Sequence, residues 1–299
     1  MPELPEVEHN RRNLERWLRG ARVTAVHAPD ARILRPVAAR SFVRQLTGAQ
    51  VEAVERRGKW IRVRMAGELR LFVHLGMTGW FEPSQLGAAP LRFERVAFEV
   101  ARGSKRSRVS YVDPRRWGRL VLAHEDIETW SALGPDPLSD GVDPVALRER
   151  LARSKSRTIK QALLDQSVLA GVGNIQAIEA LWKAKIDPRS PANALTAAHV
   201  QALVRGLHWT IERTLKDLAK GAHGAKNPFR VYGRKGEPCP RCGTSFERIE
   251  LAGRTTTFCP GCQIRLAPLS KSPRRSQSAK RAPAARVTRR GPRTRGTSA

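Results

Sequence analysis

Acidic side chains are scarce in this sequence: 27 Asp and Glu stand against 55 Lys and Arg in 299 residues, a formal charge of +28. Also missing is any apolar run near the ~18 residues of a membrane span, or a charged-then-apolar leader. A membrane or secreted protein is thereby disfavoured, and a cytoplasmic, nucleoid-associated location is expected. No long basic helix with a broad apolar face appears, which argues against an anionic membrane surface as the partner. Between residues 266 and 299 acids are absent and large apolar side chains nearly so, while Lys and Arg number ten. Such a segment cannot bury enough surface to order itself, so residues 267–299 read as a disordered basic tail acting as an electrostatic tether. The remaining +18 of the +28 lies on the body. A folded body this basic calls for a polyanion, and nucleic acid is the leading candidate through phosphate contacts that release counterions.

What is present divides by pattern. The length exceeds a usual single domain, and 40% hydrophobic residues suffice for real cores. Val7, Leu14, Trp17 and Leu18 recur at helical spacing over residues 3–18. Candidate strands follow at 22–27, 60–65, 69–74, 92–100, 108–112 and 119–123, several alternating apolar with polar. Six short strands with Gly- and Pro-bearing connections predict a sandwich or flattened barrel. Leu133-Gly134-Pro135-Asp136-Pro137 closes that region as a domain boundary. Beyond it the period turns helical at 144–152, 159–164, 174–184 and 197–219. The class is therefore α+β.

Three local patterns carry chemistry. All four cysteines fall in Cys239-Pro-Arg-Cys242 and Cys259-Pro-Gly-Cys262, sixteen residues apart, the spacing of a four-thiolate zinc site. Two disulfides in a cytosolic chain are the poorer alternative. With every position filled by protein the zinc is structural, and no catalytic cofactor is expected. Arg241, Arg248, Arg254 and Arg265 nearby read either as phosphate contacts or as solvated charges. Second, removal of Met1 ahead of a small residue would leave Pro2 as a free secondary amine beside Glu3 and Glu6. An α-amino group titrates near ~7.7–8.0, so more of it is neutral than of a lysine, and it can condense with a sugar aldehyde carbon. The plain reading, a proline tolerated at a helix start, stays open. Third, Gly171-Val172-Gly173-Asn174 opens a helix that Asn174 would cap. This is either an anion site built from unpaired N–H groups or an ordinary turn.

These pieces occur together in one family. The chain resembles the formamidopyrimidine-DNA glycosylases of the Fpg/Nei base-excision repair family over about residues 2–265. The motifs are Pro2-Glu3-Leu4-Pro5-Glu6-Val7-Glu8, Arg57-Gly58-Lys59, His74-Leu75-Gly76-Met77-Thr78-Gly79, Asp113-Pro114-Arg115-Arg116-Trp117-Gly118, Gly171-Val172-Gly173-Asn174-Ile175, Val231-Tyr232-Gly233-Arg234-Lys235-Gly236 and the zinc ribbon. Leucine in Pro-Glu-Leu-Pro-Glu looks like the formamidopyrimidine branch rather than the endonuclease VIII branch.

The resemblance implies a catalytic β-sandwich with a leading helix (1–134), a helix-two-turn-helix DNA-binding domain (135–228), a zinc ribbon (229–266) and the tail (267–299). It implies a monomer that binds double-stranded DNA carrying damaged bases or abasic sites. Pro2 is implied as the nucleophile at C1′, Glu3 as the acid for the sugar oxygen, Lys59 as proton donor in β-elimination, and Arg254 as the phosphate-holding residue of δ-elimination. Met77, Arg115 and Trp117 align with side chains that fill the void left by a flipped nucleotide. Glu6, His74, Lys155, Lys160 and Asn174 align with residues that grip DNA phosphate or the flipped nucleotide. Without the joint pattern, Met77 and Trp117 would read as core, Lys59 as a solvated charge and His74 as a strand-end histidine. The chain departs from the pattern at Trp117, where phenylalanine is usual, at Phe93 and Arg95, where histidines often contact DNA, and at Gln176, in place of tyrosine. The loop at 218–230 is also short. Purine lesions (formamidopyrimidines, 8-oxoguanine) are the expected substrates. The alternatives are a relative preferring oxidised pyrimidines and a noncatalytic zinc-ribbon DNA-binding protein.

Overall fold

The computed structural model describes residues 2–154, 156–221 and 227–267, together with Gly291 and Gly296. Lys155 and nearly all of the predicted tail lie outside these described residues.

The chain opens with α1 (Leu4–Leu18), then β1 (Arg22–His27), β2 (Leu34–Arg35), α2 (Ala39–Leu46), β3 (Val51–Arg57), β4 (Trp60–Met65), β5 (Arg70–His74), β6 (Trp80–Ser84), β7 (Glu94–Arg102), β8 (Lys105–Val112) and β9 (Arg119–Ala123). They form one sheet in the order β1-β7-β8-β6 and another in the order β2-β9-β5-β4-β3. Alternate residues of β4 are buried, as period-2 side chains on a half-covered sheet must be. Val23, Phe98 and Val109 from one sheet share a core with Ile61, Val73 and Leu120 from the other. Val7, Leu14 and Leu18 add the apolar stripe of α1 to this core. Each such side chain contributes roughly 1.5–3 kcal/mol on burial. This is the expected sandwich with its leading helix.

Strands β2, β3 and β6 and helix α2 are not among the expected elements, and two of the strands have a visible physical reason. A register shift between Val51 and Ala53 puts the buried Val51 and Val54 three residues apart, which breaks the alternation that marks a strand. Strand β6 carries Pro83, tolerated there because β6 is an edge strand. The strand expected at 92 starts instead at Glu94, after Phe93 at φ 67°.

After α3 (Glu128–Ser131) come α4 (Pro144–Arg153), α5 (Ile159–Leu164), α6 (Asn174–Lys183) and α7 (Ala197–Ala219). Leu147, Leu163, Leu181 and Leu203 gather in a second core. Local chemistry sets the helix starts. Asp143 accepts from the Val145 and Ala146 amides ahead of Pro144, and Thr158 pairs reciprocally with Gln161. The hairpin β10 (Glu247–Leu251) and β11 (Arg254–Phe258) completes the body. Its two-residue loop, Ala252-Gly253, has both φ positive (54° and 65°), the conformation that matches strand twist. Ile178 and Trp182 of α6 pack against Phe246, Cys239 and Cys259 of this ribbon.

A buried ion network ties the sandwich to the segment that follows it. The Arg56 guanidinium donates to Glu8 at 3.0 Å, to both carboxylate oxygens of Asp136, to the Gly58 carbonyl at 3.1 Å and to Ser139 at 3.0 Å. The Gly58 amide also donates to Asp136 at 2.7 Å. Asp136 is fully buried. Burial alone would raise its carboxyl, but Arg56 overrides this and holds it below the usual carboxylate range. Asp136→Ala strips the buried arginine of its two-oxygen partner and leaves Glu8 as its one remaining carboxylate, so a loss of about 3–5 kcal/mol is expected in urea unfolding at neutral pH. Because the folded pKa is depressed, this contribution is complete above the unfolded value of ~3.9 and disappears as pH falls through the folded one. The gap between variant and wild type should therefore close in acid, and a gap constant with pH would refute the assignment.

Candidate functional site

Glu3 is the keystone of the site. Its side chain is 1% exposed, and its two oxygens accept the Ile175 and Gln176 amides, each at 2.9 Å. These are orphan N–H groups at the start of α6, where backbone partial charge favours an anion. The N-cap is Gly173, so the expectation that Asn174 caps this helix is corrected: a carboxylate from the far end of the sequence does so. Only glycine fits at the contact, since a Cβ on Gly173 would lie 2.2 Å from the Glu3 carboxyl carbon. Gly171, at φ 86°, likewise admits Leu4, whose amide donates to the Gly171 carbonyl at 3.1 Å. The helix start is an anion site, and its occupant is internal.

Around this carboxylate the other N-terminal groups converge. The Glu6 carboxylate accepts the Glu3 amide at 2.9 Å. Lys59 donates to the Val172 carbonyl at 3.1 Å from a turn that Gly58 seats against Ala170 and Gly171. Burial raises the Glu3 carboxyl against the opposing pull of Lys59 and the two amides. Burial and the neighbouring Glu3 charge raise Glu6 to about 7. Burial lowers the Lys59 ammonium, helped by the charge of Arg254 and opposed by Glu3 and Glu6. Proton affinities are thus drawn towards one another, the arrangement proton transfer needs. Pro2 and Glu6 border a cavity of about 610 Å³ shared with Met77, Ile175, Leu218 and Phe229. It is large enough for a nucleobase.

Met77, Arg115 and Trp117 stand on two loops locked to each other. The buried Asp113 carboxylate accepts from the Thr78 hydroxyl at 2.6 Å, the Gly118 amide at 2.8 Å and the Arg115 amide at 3.2 Å. Gly76, Gly79 and Gly118 leave no room for a Cβ against Trp117 backbone and the Tyr111 hydroxyl. Trp117 is 60% exposed, an unusual position for so large an apolar ring in a folded chain. Arg95, at a position where histidines often contact DNA in the family that the chain resembles, is turned inward here. It is buried, donates to the Asp113 carbonyl at 2.8 Å and buttresses the Trp117 loop from below.

His74, Lys160 and Asn174, aligned with residues that grip DNA phosphate or the flipped nucleotide, have the following surroundings. His74 accepts the Gly76 amide at its Nδ1, 3.1 Å away, and burial with the Lys59 and Arg119 charges lowers it to about 4. It is therefore neutral at physiological pH and offers a hydrogen bond, not a charge. Lys160 has no exposed surface, and its ammonium donates to the Thr256 hydroxyl at 2.5 Å, so it grips the ribbon instead of presenting itself at the surface. The Asn174 side-chain amide donates to the Thr255 carbonyl of the same strand at 3.0 Å. Lys155 is outside the described residues. Ile175, Leu218 and Phe229 of the cavity, and the Asp113 lock, escape a reading by residue type because apolar and internal aspartate side chains carry no chemical signature.

The four cysteine sulfurs lie within 4.8 Å of one another. Trp182 Nε1 and Arg241 each donate towards a sulfur at 3.5 Å, on Cys239 and Cys262, as outer hydrogen bonds do for metal-bound thiolates. The donor set fits one structural zinc, with all four ligand positions filled by protein.

Comparison with known proteins bears on all of this. The formamidopyrimidine-DNA glycosylase N-terminal domain matches residues 1–120, the H2TH domain of the same proteins 133–224, and the zinc finger found in FPG and IleRS 236–264. The formamidopyrimidine-DNA glycosylase of Laribacter hongkongensis is 40% identical over 277 residues, covering 88% of this chain and 100% of that protein. That of Pseudomonas syringae pv. tomato is 39% identical over 276 residues, with the same coverage. Among solved structures, Lactococcus lactis Fpg bound to DNA containing an AP site superposes with a TM-score of 0.79 at 31% identity, covering 88% of this chain and all of that one. MutM in complex with DNA containing carbocyclic 8-oxo-G gives 0.79 at 32% with the same coverage. With its sandwich, helical region and four-cysteine ribbon matched in order along one chain, this protein belongs to the formamidopyrimidine-DNA glycosylase family.

Proposed function

We infer that this chain is a base-excision repair DNA glycosylase with AP lyase activity, acting on duplex DNA that carries oxidised or ring-opened purines. The observation that carries this reading is the gathering of Pro2, Glu3, Glu6 and Lys59 at one helix start beside a cavity of nucleobase size. The damaged nucleotide leaves the stack, at a cost of a few kcal/mol, and its base enters the cavity. Met77, Arg115 and Trp117 occupy the vacated space. The neutral Pro2 amine, freed by loss of Met1, forms a bond to C1′ as the base departs with the glycosidic electron pair, and the proton that the amine sheds balances the charge of the departing base. Glu3, which burial biases towards its protonated form, hands a proton to the ring oxygen, and the sugar opens to an iminium. The iminium acidifies C2′, and loss of that proton expels the 3′ phosphate; Lys59 and Glu6 are the adjacent groups of suitable proton affinity. Arg254 then serves the second elimination, which releases the 5′ phosphate. The zinc ribbon holds Arg254 in place, and the protein acts in the cytoplasm, at the nucleoid.

Competitive excision from duplexes carrying formamidopyrimidine, 8-oxoguanine or an oxidised pyrimidine tests the substrate class. The purine lesions are expected to be released faster by at least about tenfold, a differential of ~1.4 kcal/mol in transition-state binding. Preference for the pyrimidine would reassign the substrate. Release of none, with intact Met1 in the mass spectrum, would leave a noncatalytic DNA-binding protein.

A further inference from the structure

The side chain of Lys160 ends in the body's interior, and the groups it meets there lead to one place. Its ammonium donates to the Thr256 hydroxyl at 2.5 Å, and that hydroxyl donates to the backbone carbonyl of Arg254 at 3.1 Å. On the same strand, the Thr255 carbonyl accepts the Asn174 side-chain amide at 3.0 Å. Both Lys160 and Thr256 are fully buried. Hairpin β10–β11 is thus fastened at two points to helices α5 and α6, and both fastenings lie within two residues of Arg254. A two-stranded hairpin has little rigidity of its own, so its orientation is set by what it is tied to. Arg254 is close enough for its charge to depress both Lys59 and Lys160.

We propose that Lys160 and Thr256 are positioning residues for the second elimination: their hydrogen-bond relay fixes the Arg254 backbone so that its guanidinium meets the phosphate leaving in that step. The proposal rests on the functional reading above and adds a role that neither residue's type announces. A fully buried ammonium needs a reason to be retained, since replacing it by an apolar chain removes a desolvation penalty. Burial, with the Arg254 charge, lowers Lys160 to about 8, against the opposing charge of Glu3, so the ammonium form still predominates at neutral pH. The first steps, by contrast, run through Pro2, Glu3 and Lys59, and the relay's hydrogen bonds run to Thr256 and the Arg254 carbonyl instead.

The test is the distribution of strand-cleavage products on an abasic-site duplex. Thr256→Val and Lys160→Met are expected to lower the ratio of δ- to β-elimination product by about tenfold, the worth of a hydrogen bond to a charged group. Thr256→Ser, which keeps the hydroxyl, should restore the ratio. Thr256→Val should retain borohydride trapping within about twofold of wild type and one zinc per chain, so that a misfolded ribbon is distinguished from a misplaced arginine. Product ratios unchanged in both variants would overturn the proposal, as would loss of trapping in step with the loss of δ product. Failure of the underlying reading looks different: wild type itself would then give neither a trapped complex nor cleavage.

Discussion

A protein in which Pro2 is replaced by glycine is expected to lose covalent trapping on an abasic-site duplex by about 10³-fold or more, the scale on which removal of a reacting nucleophile acts. Two properties of proline underlie the size of the effect. Its nitrogen is secondary, so condensation with an aldehyde carbon gives an iminium with no N–H to lose, and the positive charge that drives elimination is permanent. Its ring also locks rotation about the N–Cα bond, and with it the direction of the nitrogen lone pair, whereas the amine of a terminal glycine rotates freely. The structure shows why orientation counts here: Leu4 is anchored to Gly171, and Glu3 to the start of α6, leaving Pro2 as the link between a rigid mount and the pocket. Noncovalent binding of undamaged duplex, which depends on phosphate contacts, should change less than about threefold. Retention of Met1 would convert the amine to an amide and give the same loss, visible in the intact mass. Trapping undiminished by the substitution would remove Pro2 from the chemistry.

The sequence made the proposed catalytic terminus legible because its residues are neighbours in the chain. Pro-Glu-Leu-Pro-Glu and the two Cys-X-X-Cys turns bring their functional atoms together over a few residues, so spacing alone reveals them. Groups that act across long separations were not legible. Glu3 caps a helix that starts 171 residues later, and nothing in Gly171-Val172-Gly173 announces that its anion will be protein rather than phosphate. The resemblance marks Lys160 as a grip on DNA, and only its zero exposure and its hydrogen bond to Thr256 show that it is tied to the ribbon. Asp136 sits in a Gly-Pro-Asp-Pro segment that reads as a linker turn, yet it accepts the Arg56 guanidinium across 80 residues. Strand β3 was hidden for another reason: its bulge and its charged face, with Glu55 bonded to Arg62 and Arg64, disguise the period of two.

Removal of zinc, by chelation or by Cys239→Ser, is expected to unfold the ribbon selectively and disable the enzyme without dissolving the two cores. Structural zinc supplies about 10–16 kcal/mol to small four-ligand domains, far more than a hairpin packed on Phe246 and Phe258 can replace. The consequence spreads along the neighbours of β11. Without it Lys160 is parted from Thr256, and Asn174 from Thr255, so a buried ammonium is left unpaired beside Glu3. Arg254 then leaves the site, together with Arg241, Arg248 and Arg265 of the ribbon. Duplex affinity should fall by about 10²-fold at physiological salt, and the salt dependence should flatten by about one unit of slope for each phosphate that the ribbon no longer neutralises. Excision from duplex should be lost in parallel, while far-ultraviolet circular dichroism keeps the signal of α1 and α4–α7. Metal analysis is expected to give one zinc per chain in the wild type and almost none in the variant. A variant with full zinc content, or a metal-free protein that still binds and cleaves duplex, would separate the ribbon from the DNA clamp and leave Arg254 without its scaffold.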